Sequence, residues 1–288
     1  MNLIKKLSKL IAKFIESCRP KIITTSNINV LNHNEILEGR RALITGGASG
    51  IGLAIAKAFV QAGASVVITG RNEAKLQTAI SELNSIGRQG ITIDYNTLDI
   101  SDNKSMVDKL SECQEKIGKQ TFDILVNNAG ISSGGLGDFE ENRFDRVFET
   151  NVRGSFMLSQ LVANKMKDNN IKGNILNISS SSALRPAISA YMMSKWSIRG
   201  MTLGLAKTYI KYGIVVNGIA PGPTATEMLH VDSSNISLPS SPIKRYILPE
   251  EIANFAVMLV SNMGRSIVGD TIYMTGGCGT ITFDDINY

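Results

Sequence analysis

The sequence predicts an α/β fold in which one parallel β-sheet is covered by helices on both faces. Two observations carry this. From Arg40 almost to the end of the chain, short apolar runs alternate with segments of helix length. Those runs are apolar throughout instead of at every second residue, which marks strands buried on both sides, and such strands belong to parallel sheets. A third observation is the composition, 43% apolar and 19% charged over 288 residues. It supplies a sizeable core and excludes disordered or fibrous chains.

In chain order, "RALITGG" reads as the first strand and "IGLAIAKAFVQAGA" as a helix closed by a glycine. "SVVITGR" is a second buried strand, "NEAKLQTAISELNSIG" a second helix and "ITIDYNTLDISD" a third strand. "DILVNNAG", "GNILNISS", "GIVVNGIAPGP" and "DTIYMTGG" follow as strands. Long helices are expected around "RFDRVFETNVRGSFMLSQLVANKM" and "YMMSKWSIRGMTLGLAKTYI". Residues 223–247, rich in Ser, Thr and Pro, break the alternation. An irregular stretch of that length predicts a substrate lid.

The body is expected over residues 39–288, preceded by an N-terminal segment of different texture. In residues 1–17, Leu3, Ile4, Leu7, Leu10, Ile11, Phe14 and Ile15 share one helical face, and Lys5, Lys6, Lys9 and Lys13 the opposite one. The lysines interrupt the apolar residues, so the segment predicts neither a signal-peptide core nor a membrane span. It suits packing on protein or peripheral contact with an anionic membrane surface. A cleaved leader is a third option, disfavoured by Glu16 and by lysine in place of arginine. Residues 20–38 read as a polar tether.

Charge and cysteine usage exclude several classes. The net charge of +5 resides in residues 1–21, which hold six basic residues and one acid. The rest has 24 basic and 24 acidic residues, so no basic footprint for nucleic acid is expected. Cys18, Cys113 and Cys278 are far apart, and His33 and His230 are isolated. A disulfide framework and a metal site are therefore not expected, and a reducing, cytoplasmic setting is.

"ITGGASGIGLAIA" joins the first strand to the first helix. Gly46, Gly50 and Gly52 let the backbone turn sharply and approach a pyrophosphate at the positive end of the helix. At the end of the second strand, where an acid would select an unphosphorylated ribose, the chain reads Thr69-Gly70-Arg71. With no carboxylate there and a guanidinium able to bond a 2′-phosphate, NADP(H) is expected, with NAD(H) as the alternative.

Thr45-Gly-x-x-x-Gly-x-Gly, Asp99, Asn127-Asn-Ala-Gly, Asn151, Ser180, Tyr191-x-x-x-Lys195 and Pro221-Gly occur together and in order. In this combination the chain resembles the short-chain dehydrogenases/reductases over residues 40–279. The resemblance implies a single doubly wound Rossmann domain, a homodimer or homotetramer, and hydride transfer between a nicotinamide dinucleotide and a small-molecule carbonyl or alcohol. Ketone and 3-oxoacyl reductases are the nearest models. Alcohol, steroid or sugar dehydrogenases working in the oxidising direction, and a non-catalytic scaffold, are the alternatives.

The resemblance also implies roles. Tyr191 is the proton donor or acceptor, Lys195 lowers its pKa and bonds the nicotinamide ribose, Ser180 bonds the substrate oxygen, and Asn151 holds a relay water. Reaching the phenolate at neutral pH requires a shift of about three pKa units, or ~4 kcal/mol, and a lysine one turn away supplies attraction of that sign. The cofactor set comprises Gly46, Ser49, Gly50, Ile51, Gly52, Arg71, Asp99, Ile100, Asn127, Asn128, Ala129 and Gly130. It continues with Tyr191, Lys195, Pro221, Gly222, Thr224 and Thr226. Two departures stand out. Ser180 lies closer to Tyr191 than is common in the family, which leaves Ser179 and Ser181 open as alternatives. Trp196 replaces a small residue and is expected in the core or at an oligomer interface.

Overall fold

The computed structural model describes residues 35–132, 140–229 and 236–281. The amphipathic segment 1–17, Cys18, His33 and His230 lie outside the described residues. All seven predicted strands are present: β1 Arg41–Thr45, β2 Ser65–Gly70, β3 Ile93–Thr97, β4 Ile124–Asn127, β5 Asn174–Ile178, β6 Val215–Pro221 and β7 Thr271–Met274. They pair in parallel in the order β3-β2-β1-β4-β5-β6-β7.

The strands are apolar throughout because alternate residues feed two separate cores. Ala42, Ile44, Val66, Ile68, Ile124 and Val126 point into the first, with helices α1 (Gly50–Gln61), α2 (Glu73–Ile86) and α7 (Pro249–Val260). Leu43, Val67, Leu125, Ile175 and Val216 point into the second, with α3 (Met106–Lys116), α5 (Ser155–Asp168) and α6 (Ala190–Tyr209). Phe59 and Phe122 are fully or almost fully buried in these cores. Each buried aromatic or branched side chain contributes roughly 1.5–3 kcal/mol of transfer free energy.

Helix starts follow local chemistry. The Asn72 side chain accepts from Lys75 N at the head of α2, and the Ser189 hydroxyl accepts from Met192 N at the head of α6. Pro249 opens α7, where the Glu251 carboxylate accepts from Leu248 N at 2.8 Å.

Three features differ from expectation. Residues 35–38, read as the end of a tether, fold onto the body: Leu37 is fully buried and its N–H donates to Ala62 O at 2.9 Å. Leu37, with Ile36 packed against the same core, is what seats it. The long helix expected around Asn151 is split into α4 (Glu141–Phe148), a π-helical turn Glu149–Gly154, and α5. Gly154 sets this turn against the loop after β3, since a Cβ there would collide with Ile100 O. Finally, the ends of the 223–247 stretch are tied together by a parallel bridge between Thr224 and Ile247. Within it, Ser237 pairs antiparallel with Arg245.

Candidate active site

Strand order reverses at β1, whose neighbours are β2 and β4, so a crevice opens at the carboxyl ends of these strands. It holds a cleft of about 670 Å³. Gly46, Ser49, Gly50 and Ile51 line it on one side, with Asn128, Ala129 and Gly130 beside them. Gly46 has φ +64, and a Cβ there would lie 3.0 Å from Ala129 Cα. Thr45 Oγ1 accepts from Asn128 N at 3.0 Å and Ala129 N at 3.1 Å. In return, Asn128 Nδ2 donates to Thr45 O at 3.1 Å and Gly46 O at 2.9 Å. The glycine turn is thus clamped to the end of β4 by two side chains.

This half of the cleft suits a dinucleotide. No side chain caps α1 at Ser49, so its first N–H groups remain available to an anion. Gly50, with φ +54, would direct a Cβ only toward Thr226, which lies 3.4 Å away.

Gly52 does not line the cleft; it lets α1 close onto the turn, since a Cβ would strike Gly46 O and Asn128 Nδ2. Four other expected cofactor residues are also away from the wall. Arg71 is exposed just beyond β2. Asp99 is exposed, and its Oδ1 accepts from Ser101 N at 2.9 Å and Ser101 Oγ at 2.7 Å. Ile100 is buried against Gly154. Asn127 is buried inside the sheet, where Nδ2 donates to Ser159 Oγ at 2.7 Å and Asn177 Oδ1 at 2.8 Å. Because a strand residue alternates between faces, one step along "NN" converts a cleft residue into a core one.

On the other side of the cleft stand Ser180, Tyr191 and Lys195. Tyr191 and Lys195 share one face of α6, with Lys195 Nζ 5.5 Å from the Tyr191 ring centre. Nζ is anchored by donation to Ile178 O at 2.8 Å. The Ser180 side chain hydrogen-bonds the Tyr191 phenol. Ser179 is otherwise engaged, donating to Lys195 O at 3.0 Å, and Ser181 begins a short 3-10 turn, Ser181–Leu184.

Asn151 lies behind this group and is 2% exposed. Its Oδ1 accepts from Ile131 N at 2.8 Å, and Nδ2 donates to Ile131 O at 3.0 Å and Ser194 Oγ at 3.0 Å. Ser194 Oγ in turn donates to Tyr191 O at 2.7 Å. The Asn151 amide is therefore occupied in joining the strand β4 loop to α6.

The electrostatics differ from expectation in one respect. Burial pushes the Tyr191 phenol above its ordinary value, with the Ser180 hydrogen bond opposing the rise. Burial also lowers Lys195 to about 8. Desolvation, which disfavours any charged form, is the leading cause of both shifts.

Pro221, Gly222, Thr224 and Thr226 line the far wall, and Arg185, Met228, Leu238 and Tyr246 extend it. The sequence reading missed Thr45 as a clamp, Ser194 as the link from Asn151 to α6, and Arg185. Thr45 and Ser194 sit inside quoted motifs and could have been singled out from them, while no pattern marks Arg185. Trp196 is not in the core: it is 41% exposed, and its indole N–H donates to Arg185 O at 3.0 Å.

The family model "short chain dehydrogenase" matches residues 40–236. The chain belongs to the short-chain dehydrogenase family. Gluconate 5-dehydrogenase of Gluconobacter oxydans is 33% identical over 84% of this chain and 95% of its own length. The 3-oxoacyl-[acyl-carrier-protein] reductase FabG of Rickettsia conorii is 35% identical over 84% and 97%. A solved gluconate 5-dehydrogenase from Burkholderia cenocepacia, in complex with NADP and tartrate, superposes with a TM-score of 0.75. It is 32% identical, covering 85% of this chain and 97% of its own. Like these relatives, this short-chain dehydrogenase is an oxidoreductase acting on hydroxyl or carbonyl groups. Among the described residues no helix is long and apolar enough to cross a membrane.

Proposed function

We propose that the chain is an NADP(H)-dependent carbonyl reductase that converts a ketone or 3-oxoacyl group to the secondary alcohol. The observation that carries this reading is the Tyr191 phenol, kept in its proton-bearing form by burial and bonded to Ser180 at the cleft wall. Reduction leaves an alkoxide that needs a proton, and a protonated phenol is the group that can give one. Oxidation, as in relatives named for sugar and sugar-acid dehydrogenation, would need the same phenol ionised, against its burial.

The nicotinamide dinucleotide, when bound, supplies the hydride. Ser180 and Tyr191 hold the substrate oxygen between two hydroxyls, and Tyr191 Oη delivers the proton. Lys195, anchored on Ile178 O, holds the nicotinamide ribose and provides positive charge beside the phenol as the proton leaves. Asn151 fixes the segment that bears Gly130 against α6, which leaves its backbone, and not its amide, for a relay water. Gly46, Ser49, Gly50 and the first turn of α1 receive the pyrophosphate. Arg71, unpaired among the described residues and exposed at the end of β2, is available to a 2′-phosphate. The 223–247 stretch serves as the lid, a reading supported by Thr226, Met228 and Leu238 lining the cleft.

A homo-oligomer and a reducing, cytoplasmic setting belong to the same reading. The second is supported by the two described cysteines, Cys113 and Cys278, which are buried free thiols. Light scattering on the full chain tests the first; a strict monomer rejects it. The function itself is tested by a panel of ketones, 3-oxoacyl thioesters and alcohols assayed with NADPH and with NADH. Reduction with NADPH as the better donor is expected. Turnover only of alcohols, or a preference for NADH, rejects the reading.

A further inference from the structure

The neutral sum of the body hides a local excess of positive charge. In a parallel sheet every helix-to-strand connection falls at one edge, here the amino edge, opposite the cleft. Beside β5, β6 and β7 this edge is formed by the last turns of α5 and α6 and the connections 169–173, 210–214 and 261–270. They bring Lys165, Lys167, Lys172, Lys207, Lys211 and Arg265 together. The acids among them are Asp168, paired with Lys167 at 3.3 Å, and Asp270, whose carboxylate accepts from Thr271 N at 2.7 Å.

These charges surround apolar surface. Ile210, Tyr212, Met263 and Val268, in the second and third of those connections, are 41% to 58% exposed. Lys167 and Lys211 hold their ammonium groups 5.9 and 5.1 Å from the centre of the Tyr212 ring. Lys172 lies over Gly213, where a Cβ would be 3.0 Å from its Cγ. Gly269 N donates to Val216 O at 2.8 Å and holds the third connection beside the start of β6. A helix dipole favours a cation at the C-terminus, which accounts for single lysines but not for the exposed apolar side chains between them.

The chain also enters the body here. Arg40 donates to Val260 O at 3.2 Å and to Asn174 Oδ1 at 2.8 Å, the residues that flank the 261–270 and 169–173 connections. Glu35 and Glu38 are the acids of this entry segment. Further up the chain, residues 1–17 carry lysines and apolar residues that the sequence assigns to opposite helical faces.

We propose that this amino edge is a docking surface for an anionic lipid bilayer, with residues 1–17 as a second contact with the same bilayer. The lysines and Arg265 meet the headgroups, and Ile210, Tyr212, Met263 and Val268 reach the acyl boundary. A nucleic-acid backbone would be held by charge and leave the aliphatic side chains in water, whereas a lipid interface takes both kinds of group. The cleft, at the carboxyl edge, then faces away from the lipid. None of this depends on the reductase reading.

Flotation of the full chain with phosphatidylcholine vesicles, with and without phosphatidylserine, is the test. Binding is expected only with phosphatidylserine and should weaken with salt. Each cation near an anionic surface is worth about fivefold in partitioning, so Lys172→Gln, Lys207→Gln and Lys211→Gln together should lower it about 100-fold. Lys172→Arg, Lys207→Arg and Lys211→Arg together should keep it, which separates lost charge from lost fold. No flotation of the wild type, or equal flotation of the glutamine variant, overturns the assignment. If no vesicle binds but light scattering shows an assembly that the glutamine variant loses, the edge is a contact between subunits and the lipid reading falls.

Orientation has its own readout. Trp196, the single tryptophan, lies in the cleft-side half of α6 and should not be quenched by brominated phosphatidylcholine in the phosphatidylserine vesicles. In Trp196→Phe/Tyr212→Trp the indole stands at the amino edge and should be quenched. Quenching of Trp196, or none of the introduced indole, overturns the proposed face.

Discussion

The two halves of the cleft are built by different means. The dinucleotide half is backbone: glycines at positive φ, an uncapped helix start, and two side chains, Thr45 and Asn128, that do nothing but hold main chain to main chain. The substrate half is side chain: two hydroxyls, an ammonium and a guanidinium brought from β5, a short loop and α6, with residues from the 223–247 stretch above them. A backbone site is specified by a few adjacent residues, and at Gly46 and Gly52 the packing leaves little or no room for a Cβ. A side-chain site can change its ligand by exchanging residues while the backbone stays the same. The comparison teaches why the backbone half is carried by one short motif while the side-chain half depends on residues brought from several elements.

The largest expected effect lies on the side-chain half. Tyr191→Phe removes the proposed proton donor, and kcat should fall about 100- to 10,000-fold, the range for general acid catalysis, with NADPH affinity nearly unchanged. Steady-state rates and a fluorescence titration of NADPH check the two parts. A fall in both together would erase the distinction between the halves. The pH profile sharpens the same point. With the phenol pKa raised and Lys195 at about 8, reduction should hold at neutral pH and decline as pH passes about 8. The decline begins when Lys195 loses its proton and continues when the phenol ionises. Oxidation of the product alcohol should rise over the same range, because it needs the phenolate.

On the dinucleotide half, Arg71→Asp replaces attraction by repulsion at the proposed place of a 2′-phosphate. The KM for NADPH should rise about 10- to 100-fold and the use of NADH improve, with the melting temperature unmoved. A wild type that already prefers NADH rules this out.

Gly52→Ala tests whether backbone packing alone sustains that half. The new methyl would meet Gly46 O and Asn128 Nδ2, and the cost of overpacking is about 1–3 kcal/mol. Urea unfolding should show the loss, accompanied by weaker NADPH binding. Normal binding in a destabilised protein would mean that the turn is rigid without its packing glycine.

The smallest effect is expected at Trp196→Phe, which deletes one half-exposed hydrogen bond to Arg185 O. Stability should change by about 1 kcal/mol or less. The KM for the ketone should rise while that for NADPH stays the same, since the bond holds only the substrate loop.

The sequence by itself determined the class of fold and the seven strands, and it marked Tyr191, Lys195, Ser180 and the glycine turn, which the structure brings to one cleft. Each depends on local causes: unbroken apolar runs for doubly buried strands, one helical turn between Tyr191 and Lys195, and glycine where φ is positive or a Cβ cannot fit. Only the tertiary structure decided the remaining points. Asn127 faces the core and Asn128 the turn because β4 ends between them. Leu37 joins the body because α1 and β2 leave a place for it. The π-helical turn at Asn151 exists because Gly154 meets Ile100 across the loop after β3. The Tyr191 phenol is raised, not lowered, because desolvation depends on what surrounds the ring and not on which residue stands four places away. Arg185 enters the cleft because Trp196 and Gly279, distant in sequence, meet it from two sides. Contacts between segments far apart in the chain leave no periodicity in the sequence, so they become visible only once the sheet has brought those segments together.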